Sequence, residues 1–87
     1  MDGLKQLPYP GGMTTHDLDA TGLLCPLPVL KLRKRLVPLA PGDCIEMRAD
    51  DPAAIVDVPH FCTEAGHTLV ETRDEGAAQV YLVRKGA

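Results

Sequence analysis

The chain has 87 residues, room for one domain with a single core, and a chain of this size buries only about 60% of its unfolded surface. With 45% apolar residues, no Trp and one Phe the core is aliphatic, and a net charge of −3 argues against a nucleic-acid binder, which needs a basic face. No apolar run approaches membrane-spanning length, the start lacks a leader pattern, and three cysteines without Cys-x-x-Cys predict reduced thiols in the cytosol rather than a disulfide framework.

Met1 to Thr15, with Gly3, Pro8, Pro10, Gly11 and Gly12, reads as a flexible tail, which leaves 16–87 as the domain. His16 to Ala20 reads as a short strand burying Leu18 and Ala20, and Thr21-Gly22 turns the chain. The stretch Gly22-Leu23-Leu24-Cys25-Pro26-Leu27-Pro28 then marks a strand-to-helix junction. Prolines lack an N–H and are tolerated in a first helical turn, so the helix is predicted to begin at Pro26 or Pro28 and to run to about Val37. Cys25 therefore stands at the positive end of a helix, which predicts a lowered thiol pKa and more thiolate. On the residues alone, a small buried apolar side chain is the competing reading of Cys25.

Within this helix Val29, Leu32, Leu36 and Leu39 share the core stripe, while Lys31, Lys34 and Arg35 face solvent. Leu30, Arg33 and Val37 form a second stripe, suited either to the rim of the core or to docking. Pro38, Pro41 and Gly42 end the helix, and Asp43 to Ala49 alternates as a strand with Ile45, Met47 and Ala49 inward. Cys44 lies on the other side of this strand, a bystander.

Asp50-Asp51-Pro52 is a helix start, with an acid at the N-cap and Pro at the first position. Ile55, Val58, Cys62 and Ala65 recur at helical spacing, so Cys62 is expected buried and Phe61 surface-facing, with Pro59 kinking or dividing the segment. Gly66 provides a left-handed cap. His67–Arg73 and Gln79–Arg84 read as a hairpin closed by a loop of about four residues, Asp74 to Ala77. The order strand, helix, strand, helix, strand, strand predicts a two-layer α/β sandwich. With the first two strands parallel, both helix N-termini open at one end and Cys25 neighbours the Asp50-Asp51 loop. Those acids oppose the helix end, which is expected to prevail modestly because they cap their own helix.

Leu18-Asp19-Ala20-Thr21-Gly22-Leu23-Leu24-Cys25-Pro26-Leu27-Pro28 resembles the signature of the TusA/SirA/YeeD family of sulfur carriers, marked by Cys-Pro-x-Pro at the start of the first helix. Gly42-Asp43, Ala49-Asp50-Asp51-Pro52, Asp57-Val58-Pro59, Phe61-Cys62 and Gly66-His67 extend the likeness over about residues 16 to 85. The resemblance implies an α+β fold, β-α-β-α-β-β, with a four-stranded mixed sheet and two helices on one face. It implies a carrier protein, rather than a turnover enzyme, that accepts sulfane sulfur as a Cys25 persulfide from a cysteine desulfurase or rhodanese-like donor and relays it to an acceptor protein. tRNA thiolation, molybdenum-cofactor biosynthesis and sulfur oxidation are the pathways open to such a carrier.

On this reading Gly22, Pro26, Leu27 and Pro28 support the thiol, with Leu27 tuning partner choice, and Leu30, Arg33, Val37, Asp50, Asp51 and Phe61 form the docking surface. No cofactor or metal is expected: His60-Phe61-Cys62 with His67 fits no common zinc spacing, and a Cys/His hydrolase would need His16, His60 or His67 beside Cys25 with an orienting partner. Direct nucleic-acid and membrane contacts are not expected, nor assembly beyond a monomer. The rival reading is a regulatory or transporter-accessory binding module with an incidental thiol; RNA binding is a third, by fold analogy only.

Overall fold

The computed structural model describes residues 14–86; apart from its last two residues, the expected 1–15 tail lies outside the described residues. The elements run β1 (Thr15–Asp19), α1 (Leu27–Leu36), β2 (Cys44–Ala49), α2 (Ala54–Ala65), β3 (Thr68–Glu75) and β4 (Ala78–Arg84), the expected order. Four strands make one mixed sheet, ordered β1-β2-β4-β3, with β1 parallel to β2 and β4 antiparallel to both its neighbours. Among the described residues no helix is long and apolar enough to cross a membrane.

The strand period sets which face is covered. Leu18 pairs with Met47 and Met47 with Tyr81, while Ile45 pairs with Val83, so these side chains share one face. All are buried, and they cluster with Leu32 and Leu36 of α1 and with Ala54, Val58, Phe61 and Cys62 of α2. Both helices therefore cover the same face, as expected. On the opposite face Val80 is buried as well, beside Arg73, which bridges Glu46, Glu71 and Glu75.

Three expectations about α2 need correction. First, Ile55 and Ala65 are exposed while Ala54 and Phe61 join Val58 and Cys62 in the core. The helix packs against α1 as well as the sheet, so its buried face turns toward the seam that Phe61 fills; Phe61 is only 8% exposed. Second, Pro59 does not divide the segment, which is one helix of 12 residues. The bond it removes is to the carbonyl of Ile55, on the exposed side where water can serve it. Third, the helix proper starts after a tight turn: Asp51 Oδ1 accepts the Ala53 N–H at 3.1 Å and the Pro52 carbonyl the Ile55 N–H at 3.1 Å. The N-cap is Ala53, without a side-chain cap, and Asp51 instead closes the turn that leads into the helix.

The β3–β4 loop is shorter than expected, Gly76 and Ala77 alone, because Glu75 pairs with Ala78. Gly76 takes φ 79° at the first loop position, as a two-residue hairpin turn requires. Gly66 ends α2 at φ 80°, with the His67 N–H bonded to the Cys62 carbonyl at 2.9 Å. A Cβ at Gly66 would meet no neighbouring atom within 4 Å, so Gly66→Ala carries only the backbone penalty. It should lower the unfolding free energy by about 1–2 kcal/mol, read from a denaturant titration.

Candidate functional site

Because β1 and β2 are parallel, the chain leaves both at the same end of the sheet, and the loops into α1 and α2 meet there. Asp19 accepts the Thr21 N–H and hydroxyl, which tightens the first turn, and Gly22 follows at φ 79°. The second loop then holds the first by its acids. Asp50 Oδ1 accepts the Gly22 N–H at 3.0 Å, and Asp51 Oδ2 accepts the Cys25 N–H while its other oxygen holds the Ala53 N–H in the turn ahead of α2. The expected neighbourhood of Cys25 and the Asp50-Asp51 loop is thus a set of backbone anchors, with both acids turned toward the chain they hold.

Cys25 is exposed and joined to Pro26 by a cis peptide bond. The helix begins at Leu27, between the two starts that the prolines predicted, with Pro26 as N-cap and Pro28 buried. Cys25 stands at the head of a groove of about 350 Å³ between α1 and α2, shared with Pro26, Val29, Arg33, Asp57, His60, Phe61 and Glu64. Arg33 and Phe61 also line the adjoining groove farther along, toward Val37, His67 and Lys85.

The docking residues separate into distinct places. Arg33 and Val37, the latter 71% exposed, border the interhelical grooves, whereas Leu30, 46% exposed, lies with Leu23, Leu27, Lys31 and Lys34 on the other flank of α1. Phe61 is a floor of the grooves rather than a projecting contact. Asp57, absent from the sequence-predicted site, is the partner of the sulfur: the Cys25 thiol donates to Asp57 Oδ2 at 3.0 Å. Its position in the first turn of α2, six residues beyond Asp51, was the available signal.

The electrostatics also differ from expectation. The Cys25 pKa is raised, first by the hydrogen bond to Asp57, then by desolvation and by the charges of Asp57 and Asp51. A helix mouth lowers a thiol pKa only if it offers free N–H groups. Here Pro26 and Pro28 have none, the Leu27 N–H goes to the Leu24 carbonyl at 2.8 Å, and that of Cys25 goes to Asp51. Two carboxylates then outweigh what remains of the dipole.

Cys62 is buried as expected, its pKa pushed up to about 11 by desolvation. Cys44 is half-buried on the face away from the helices, its pKa likewise raised mainly by burial.

The two-layer sandwich and its single exposed thiol at a loop-to-helix junction define a small thiol-presenting domain. The family model described as sulfurtransferase TusA matches residues 16–85, and the chain belongs to that family. Among solved structures, a SirA-like protein of Desulfitobacterium hafniense is similar with a TM-score of 0.70. That match covers 86% of this chain and 100% of the other at 22% identity, and shows the shared fold.

Proposed function

We propose that the chain carries sulfur as a persulfide on Cys25, taking it from a cysteine desulfurase or rhodanese-like enzyme and passing it to an acceptor protein. Membership of the sulfurtransferase family supports the class of reaction. The observation that carries the assignment to one residue is exposure: of three free thiols, Cys25 alone is exposed, at the open head of a groove that a visiting active site can enter. In the transfer, Cys25 Sγ attacks the outer sulfur of a donor persulfide. One S–S bond forms at Cys25, the donor's breaks, and the proton from Cys25 ends on the departing donor thiolate. The exchange is thiol for thiol and consumes no oxidant.

The docking surface in this reading joins Arg33 and Val37 along the groove to Leu27 and Leu30 on the other flank of α1, so that a partner straddling α1 along its length covers Cys25 at its head. tRNA thiolation, molybdenum-cofactor biosynthesis and sulfur oxidation are the downstream routes proposed, in the cytosol. The test is intact-mass analysis with peptide mapping after incubation with a cysteine desulfurase and cysteine, and in parallel with a rhodanese and thiosulfate. One sulfur on the Cys25 peptide, removable by reductant, is expected from at least one donor. Sulfur on Cys44 or Cys62, or none from either donor, overturns the reading in favour of a binding module.

A further inference from the structure

A carboxylate faces the Cys25 sulfur across 3.0 Å although the two residues are 32 positions apart in sequence. The same end of α2 grips the residue twice: Asp51, in the turn that leads into the helix, accepts from the Cys25 N–H, and Asp57, in its first turn, accepts from the thiol. The other charged or titratable groups near the residue are few among the described residues. From α1 there is Arg33; from α2, His60 and Glu64, which lie 3.8 Å apart; and from the loop, Asp50, whose Oδ1 is occupied by the Gly22 N–H.

Resting on the reading of Cys25 as the carrier thiol, we propose that Asp57 is a positioning residue that holds the resting sulfur as a protonated S–H donor at the head of the groove, guarding it from small electrophiles. The physical reason is the asymmetry of the pair. A thiol can donate to a carboxylate, whereas a thiolate placed there loses that bond and faces a like charge. The raised thiol pKa has the same cause. Since thiolate is the nucleophile, alkylating agents and oxidants dissolved in water meet an unreactive sulfur. A carrier needs that guard, because its thiol stays exposed between partners.

The test follows iodoacetamide alkylation of the purified protein across pH, resolved by peptide mass spectrometry so that Cys44 and Cys62 are read separately. Asp57→Asn keeps the shape but removes the charge: the Cys25 midpoint is expected to fall and alkylation near neutrality to run several-fold faster. Asp57→Glu, which restores the charge, is expected to return the midpoint toward the wild-type value. A D57N profile that superimposes on wild type, or moves to higher pH, overturns the proposal. The wild-type profile read on the Cys25 peptide is a measurement independent of any variant; a Cys25 midpoint below that of a free cysteine peptide overturns it equally. The titration involves no sulfur donor, so the two failures are told apart: failed loading counts against the carrier reading, and an unmoved midpoint against the role of Asp57 alone.

Discussion

Leu32→Ala is expected to lower the unfolding free energy by about 2–5 kcal/mol, the range for deleting a buried leucine whose cavity closes only in part. Leu32 has no exposed surface, and with Leu36 it is what α1 inserts between the sheet and α2. A domain of this size has a total stability of only about 5–15 kcal/mol, so the loss is a large share of the whole. The helix has only 10 residues and would be marginal in isolation, so tertiary packing holds it and with it the end that presents Cys25. Leu30→Ala, two residues away but on the exposed flank, should change stability by no more than about 0.5 kcal/mol. Denaturant titrations with unchanged slopes read both values. Equal losses in the two variants would mean that α1 is packed in a different phase.

This contrast shows which parts of the fold were legible in the residues. β2 was readable because one face is buried and the other not, so Ile45, Met47 and Ala49 alternate with Cys44, Glu46 and Arg48. Leu32 and Leu36 were readable for the matching reason at helical period. Phe61 was not: an amphipathic pattern gives the stripe that faces a sheet but not the second contact with α1, and this contact turns α2 toward its seam. The hairpin loop was overestimated because Asp74 and Glu75 look like turn residues, yet both pair in β3, an edge strand where charged side chains sit comfortably. The Asp50-Asp51 neighbourhood of Cys25 followed from topology alone. Asp57 required the rotation of α2 as well, and the direction of the thiol shift required knowing where each N–H of the first turn goes. A helix mouth with two prolines has the dipole but few of the donors that would make it felt.

Cys25→Ser is expected to abolish sulfur loading completely while leaving the fold unchanged. The serine hydroxyl can donate to Asp57 as the thiol does, and its exposed position demands no repacking, so the denaturation midpoint should stay at the wild-type value. What it lacks is the capacity to form an S–S bond. Neither remaining cysteine can replace it. Cys62 is 1% exposed with a pKa of about 11, so its thiolate near neutrality amounts to roughly one molecule in ten thousand, out of reach of any partner. Cys44 lies on the far face of the sheet, opposite Thr15 and Arg84, and a protein covering the interhelical groove cannot approach it. In the mass assay the variant should gain no sulfur from donors that load wild type, and transfer to any acceptor should fall to background. Added in excess to a wild-type reaction it should slow loading, because it still occupies the donor. Sulfur bound by the variant would place the carrier site elsewhere; absence of loading without competition would mean that Cys25 contributes to docking as well as to chemistry.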